Sequence, residues 1–182
     1  KRSAELLLAA REASDLTNKL LSFERASGTD ILCSGLPIEL GSFVRNVGIA
    51  FRQQHPECDV ELIYALPSAD VTVSGDATML HEAVLNLLSN SIIHGGADLT
   101  QITLDLSQDG SNAILVISDD GTGIPADRHI EALSRFSQAG GGPGSGLGLP
   151  IASRVMENHD GRLELLESAS GASIKLTIPL AH

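Results

Sequence analysis

The sequence predicts an α+β protein, a two-layer α/β sandwich preceded by one long, coiled-coil-like helix. Three observations carry this. Residues Lys1 to Ser27 contain neither Gly nor Pro and repeat apolar side chains at heptad spacing. Beyond them, strand-like and helix-like segments mix without strict βαβ alternation, which argues for a sheet with helices on one face. Two segments flanking the turn residues Asp109-Gly110 read as a hairpin.

The opening helix carries Leu6, Ala9, Ala13, Leu16, Leu20 and Phe23 at alternating three- and four-residue steps. At 1.5 Å per residue it would be about 40 Å long. So long and one-sided a helix needs a second helix to cover its apolar stripe; the alternative is packing on its own domain. Gly28 closes it, giving an expected division into residues 1–28 and a second domain over 29–182. Leu36-Pro37 reads as a linker. Ile38, Leu40, Phe43, Val44, Val47, Ile49 and Ala50 then suggest a short strand-like entry followed by a helix.

Val60 to Tyr64 and Val71 to Val73 read as strands. A helix over Ala77 to about His94 follows Asp76, an N-cap candidate placed just before the apolar periodicity. Ile102 to Leu106 and Ala113 to Ser118 form the hairpin strands. A glycine-rich loop leads to a helix over Leu147 to about Asn158, and Arg162 to Glu167 and Ser173 to Pro179 supply the last two strands.

Composition restricts the function classes. Twelve basic against 23 acidic residues leave a net charge of −11, which repels nucleic acid and anionic membrane surfaces. A polyanionic ligand would have to be held by local features, such as metal ions, backbone amides or a few placed cations. Cys33 and Cys58 lack the partners of a zinc site or a disulfide framework and read as free thiols of a reducing compartment. No apolar run approaches the roughly 18 residues that span a bilayer, so a soluble, cytoplasmic segment is expected. The chain starts inside a helical pattern without an initiator methionine, as expected of a piece of a longer protein.

Three clusters carry chemistry. Glu82, Asn86, Asn90 and His94 fall four residues apart, on one stripe of a helix otherwise rich in Val and Leu. Such a stripe can be a solvated face, but two asparagines suit a helix surface poorly, and their carbonyl oxygens suit a hard cation such as Mg²⁺. Asp119-Asp120-Gly121-Thr122-Gly123 directly follows an apolar strand. By itself it reads as a turn, or as a backbone that a ligand can approach closely, with a carboxylate able to accept from an exocyclic amine. Gly140 to Leu149 opens a helix; its glycines form either a flexible linker or a phosphate site of backbone amides. It lacks the Gly-Lys-Ser/Thr ending of a P-loop, and no dinucleotide fingerprint surrounds it.

Taken in order, Glu82-x-x-x-Asn86-x-x-x-Asn90, Asp119-x-Gly121-x-Gly123, Arg135-Phe136 and Gly144-x-Gly146-x-Gly148-Leu149 resemble the asparagine, glycine and phenylalanine boxes of sensor histidine kinases, over about Ser74 to Gly161. Related boxes occur in gyrase, Hsp90 and MutL. Asn18 to Arg25 resembles the end of the second helix of the kinases' dimerisation and phosphoacceptor domain. The resemblance implies a Bergerat-type ATP-binding fold and transfer of the ATP γ-phosphoryl group to a histidine, for relay to a response regulator receiver domain. The partners implied are ATP, that receiver domain and a second copy of the chain through the first helix, with no nucleic acid and no membrane contact by this segment.

Residue by residue, the resemblance makes Glu82 and Asn86 catalytic, with Glu82 orienting or deprotonating the acceptor. Asn86 and Asn90 would hold Mg²⁺. Nucleotide contacts would come from Asn86, Asn90, His94, Asp119 (reading adenine), Gly121, Gly123, Arg135, Phe136, Gly144, Gly146, Leu147 and Gly148, with a lid over about Ile124 to Gly146. The sequence departs from the family at Ile93, where many members carry Lys, and at Gln138, where an Arg often follows. Arg135 and Arg128 remain as lid cations. Neither His81-Glu82 nor His159-Asp160, the two His-acid pairs, has the phosphoacceptor continuation, so the accepting histidine is expected outside this chain. Two alternatives share the fold: a non-catalytic, dimeric ATP-binding module, and a serine kinase of the anti-sigma type, which the first helix disfavours.

Overall fold

The computed structural model describes residues 35–134 and 146–181, together with Thr17 and Leu21, both helical. The expected first helix otherwise lies outside the described residues, as do Gly28 and Cys33. The chain runs β1 (Leu36–Glu39), α1 (Leu40–Gln54), β2 (Glu61–Ala65), β3 (Thr72–Gly75), α2 (Ala77–His94), β4 (Gln101–Asp109), β5 (Asn112–Asp119), a 3-10 turn (Ala126–Arg128), α3 (His129–Ala132), α4 (Gly148–Asn158), β6 (Arg162–Leu166) and β7 (Ser173–Pro179).

Five strands form one sheet in the order β2-β4-β5-β7-β6. The β2–β4 pair is parallel, and the other neighbours are antiparallel. The β4–β5 hairpin pairs Asp109 with Asn112 at its closed end, where Gly110 takes the left-handed conformation, φ 57°, that the tight turn demands. Leu36-Pro37, read as a linker, is instead the start of β1. It pairs with β3 in a separate two-stranded ribbon, tied to the main sheet by a bridge from Val73 to Leu180.

Period-2 alternation gives the sheet one apolar face. Ile102, Leu104 and Leu106 of β4, Leu115 and Ile117 of β5, and Ile174 and Leu176 of β7 are all buried. Three helices cover that face. α1 presents Leu40, Val44, Val47, Gly48 and Phe51, and α2 presents Leu80, Ala83, Val84, Leu87 and Leu88. α4 contributes Ile151, Ala152, Val155 and Met156. Ile49, included in the sequence pattern, falls off the buried stripe of α1 and is 57% exposed. The predicted two-layer α+β architecture is the observed one.

Both long helices begin on a carboxylate. Glu39 accepts from the amides of Gly41 and Ser42 at 2.6 and 2.7 Å. Asp76 accepts from Thr78 and Met79 at 2.8 and 3.1 Å, as its position before the periodic stretch predicts. Asp76 has a second anchor, because its own amide donates to His159 Nε2 at 2.9 Å. That bond fixes the tautomer: Nδ1 carries the proton and donates to the Val155 carbonyl at 2.7 Å. His159 is buried and pins the end of α4 to the start of α2. A Cβ at Gly75 would run into its ring.

Asp120 closes the opposite end of the sheet. Its carboxylate accepts from the Thr100 hydroxyl and from the amides of Thr100 (2.8 Å) and Gln101 (3.0 Å). The Thr100 hydroxyl first, then the amides of Gln101 and Thr100, hold this carboxyl down to about 2. A folded-state value below the unfolded one contributes stability that is fully present above the unfolded pKa and is lost as pH falls through the folded value. The clip between β4 and the loop after β5 is therefore intact above about pH 4. It is released as pH falls towards 2.

Two predictions follow the packing. Carboxyl-resolved NMR titration places the Asp120 midpoint near 2 and moves it upward in Thr100→Ala; a midpoint at the ordinary aspartate value in the parent chain contradicts the clip. Phe51 has no exposed surface, so Phe51→Ala lowers the unfolding free energy in urea by about 3–5 kcal/mol.

Candidate nucleotide site

The polar stripe of α2 lies opposite its buried stripe, as the spacing predicts. Glu82, Asn86 and Asn90 are half-buried, and His94, in the last turn, is exposed. Half-burial reflects the proximity of α4: a Cβ placed on Gly148 would approach the Asn90 amide nitrogen and oxygen to 2.8 Å. α2 and α4 are thus antiparallel neighbours, joined by His159 at one end and touching at Asn90 and Gly148 at the other.

The start of α4 differs from those of α1 and α2. Its N-cap position is Leu147, and among the described residues no side chain caps its first amides, where Glu39 and Asp76 cap those of α1 and α2. Such an end leaves backbone N–H groups aligned with the positive end of the helix dipole. Gly146 precedes it with φ 64°, and Leu147, 1% exposed, anchors the turn in the core.

Asp119, the last residue of β5, is 8% exposed, and a carboxylate there must be hydrogen-bonded to be tolerated. Its Oδ1 accepts from the amides of Gly121 (3.1 Å) and Ala172 (3.0 Å). Its Oδ2 accepts from the Ser91 hydroxyl at 2.7 Å. The loop that follows is wedged between the end of α2 and the β6–β7 turn. Thr122 donates through both its amide (2.8 Å) and its hydroxyl (3.1 Å) to the Gly95 carbonyl. A Cβ on Gly121 would collide with that same carbonyl, and one on Gly123, φ 78°, with the carbonyl of Gly171.

The described parts of the three chemical clusters, with Gly146 to Leu149 for the third, therefore meet at the end of α2. Asn90 faces the glycine-flanked start of α4, its neighbour Ser91 holds Asp119, and Gly95 receives the loop containing Gly121 and Thr122. Arg135, Phe136, Gly144 and Gln138 lie outside the described residues. His94, in the last turn of α2, is exposed, and Ile93 is 37% exposed. Sequence reasoning gave no role to Ser91, Gly95 or His159, and it read Thr122 within a cluster and Ser170-Gly171 as a turn without their contacts to Gly95 and Asp119. Of the first three, only Ser91 left a signal, as a polar residue on the apolar stripe of α2.

Among the described residues, no group of three or more His, Cys, Asp and Glu side chains forms a metal cage, and no helix is long and apolar enough to cross a membrane.

Comparison with known proteins fits this arrangement. The model of the histidine kinase-, DNA gyrase B-, and HSP90-like ATPase family matches residues 75–182, which include all three clusters. The probable sensor histidine kinase TcrY of Mycobacterium tuberculosis is 36% identical over 123 residues, 63% of this chain and 25% of TcrY. The sensor-like histidine kinase SenX3 of Mycobacterium bovis is 28% identical over 188 residues, 98% of this chain and 45% of SenX3. The chain thus spans a quarter to under half of the length of these relatives.

Among solved structures, the mycobacterial sensor histidine kinase MprB is 29% identical with a TM-score of 0.68, covering 80% of this chain and 97% of that one. Full-length ShkA in complex with AMPPNP shares the fold at 24% identity and a TM-score of 0.80, over all of this chain and 39% of ShkA. With its sheet, its three covering helices and the convergence at the end of α2, the chain belongs to the histidine kinase-, DNA gyrase B- and HSP90-like ATPases and carries their ATP-binding domain in its histidine kinase form.

Proposed function

We propose that this chain is the catalytic core of a sensor histidine kinase, which transfers the γ-phosphoryl group of ATP to a histidine outside the chain, for relay to an aspartate of a response regulator. The observation that carries this reading is the convergence at α2: a buried carboxylate held on one side of its last turns and an uncapped helix start held against Asn90 on the other. The first is suited to an adenine amine, the second to phosphate oxygens. The distance between the two ends of a nucleotide is bridged by a single helix.

In this reading Asp119 accepts a hydrogen bond from the adenine amine, and Gly121 and Gly123 let the loop backbone lie close to the base. The amides following Gly146, Leu147 and Gly148 receive the phosphates, aided by Gly144 and the lid residues Arg135 and Phe136. His94 lies at the edge of the nucleotide. Asn86 and Asn90 supply hard oxygen donors, and Mg²⁺ typically takes one or two protein ligands and completes its shell with phosphate and water oxygens. That donor set fits Mg²⁺, which when bound would neutralise charge on the phosphates.

Glu82, one turn before Asn86, orients or deprotonates the incoming imidazole. Phosphoryl transfer asks the protein mainly to position groups and stabilise charge, and these residues do both from one rigid helix. Residues 1–28 are assigned to part of the second helix of a dimerisation and phosphoacceptor domain through which the intact protein forms a homodimer, residues 29–182 to the catalytic domain, and this segment works in the cytoplasm, whether or not the intact protein is anchored to a membrane upstream.

Titration calorimetry with a non-hydrolysable ATP analogue tests the reading. The parent chain binds saturably and more tightly with Mg²⁺, and Asp119→Asn weakens binding by roughly tenfold or more; no binding by the parent chain overturns it. In a chain extended upstream to include an accepting histidine, Asn90→Asp removes ATP-dependent labelling of that histidine, and unchanged labelling would refute the catalytic assignment. Gly148→Ala discriminates further. The added methyl meets the tip of the Asn90 side chain, not backbone. The domain therefore stays folded by circular dichroism while nucleotide affinity falls by about tenfold or more.

A further inference from the structure

Ser91 occupies a position where the buried stripe of α2 otherwise carries Leu80, Ala83, Val84, Leu87 and Leu88. It is 7% exposed, and a hydroxyl buried on an apolar stripe is costly unless it is bonded. Its partner is Asp119 Oδ2 at 2.7 Å. An ionised carboxylate only accepts, so the serine proton points at Asp119.

The other oxygen, Oδ1, takes the amides of Gly121 and Ala172. Three donors from three separate segments thus fix the carboxylate. Of the roughly four acceptor directions that a carboxylate offers, the one left belongs to Oδ2, the atom that Ser91 holds.

We infer that Ser91 is a positioning residue that sets base specificity: it aims the remaining Oδ2 lone pair so that the site takes a purine with an exocyclic amino group and rejects one with a carbonyl in its place. The inference rests on the reading of Asp119 as the group that meets the base. An amino group donates into that lone pair. A carbonyl oxygen would face it acceptor to acceptor. Removing the serine hydroxyl opens a second lone pair on Oδ2 and leaves space beside it. Water can enter there and donate to a carbonyl as readily as it accepts from an amine, so discrimination falls.

Calorimetric affinities for ADP and inosine diphosphate, measured on the full 182-residue chain, give the readout as a ratio. The ratio favours ADP in the parent and falls roughly five- to tenfold in Ser91→Ala, while Ser91→Thr, which keeps a hydroxyl, restores it. Asp119→Asn collapses the ratio, and adding Ser91→Ala to that variant changes it no further.

If Ser91→Ala weakens both ligands equally, or leaves the ratio intact while Asp119→Asn collapses it, serine has no part in specificity and the inference fails alone. If Asp119→Asn itself leaves the ratio unchanged, the underlying reading of Asp119 fails. Ser91→Ala removes one atom from a helix and favours its conformation, so its folding is secure. Should the bulkier Ser91→Thr not fold, the double variant decides the question.

Discussion

The close approach of the last two turns of α2 to two glycine-containing segments is the constraint on which the site depends. Asn90 and Ser91 are adjacent in sequence, so their side chains diverge by about 100° around the helix axis. One therefore faces α4 and the other faces the end of β5. In the proposed reading, this divergence lets one helix serve both ends of a nucleotide. It also explains why glycine stands at 148, where any Cβ would press on the Asn90 amide, and at 121, where one would strike the Gly95 carbonyl. Space at these positions is filled by the helix itself.

A site built on such proximity needs α2 to be fixed lengthwise as well as sideways. Asp76 caps its first turn and His159 grips the Asp76 amide. At the far end, Gly95 receives Thr122. A slip of α2 by part of a turn would separate Ser91 from Asp119 and Asn90 from the start of α4 together. The core residues Leu80, Val84, Leu87 and Leu88, on the face of α2 packed towards β5, oppose rotation. The two ends oppose translation. The stability of the sandwich and the geometry of the site are therefore the same property viewed at different residues.

Much of this was legible in the sequence, because the signals were periodic. The limits of α2, its cap at Asp76, the hairpin turn at Gly110 and the stripe of Glu82, Asn86 and Asn90 all follow from spacing alone. Short, irregular or long-range features were not legible. Leu36-Pro37 read as a linker because four residues are too few to show alternation, and their pairing with β3 is a contact between distant segments. Ile49 entered the apolar pattern of α1 although it is exposed, because apolar residues on an exposed flank are common. The role of His159 and the contact of the turn after Ser170-Gly171 with Asp119 have no sequence signature. Their roles arise only when the ends of α4 and β5 are brought beside α2 and β7. Ser91 was the intermediate case, since a hydroxyl on an apolar stripe announces a buried partner without naming it.

Charge supplies the last link between composition and mechanism. A chain with a net charge of −11 that binds a nucleotide must attract phosphates against its own field. α1 and α2 neutralise their positive ends with Glu39 and Asp76, and an acidic chain could as easily have capped α4. It has not. Leu147 offers no acceptor, and the first turn carries no acid, so the dipole end is left for a ligand. The donors on α2 nearest to it are neutral amides, which add no repulsion, and Ile93 adds no cation. Attraction from the described residues of this site is therefore short-ranged, built from aligned backbone amides and any cation that the ligand brings, with the proposed lid residue Arg135 to add its charge once the phosphates have reached the gap between α2 and α4.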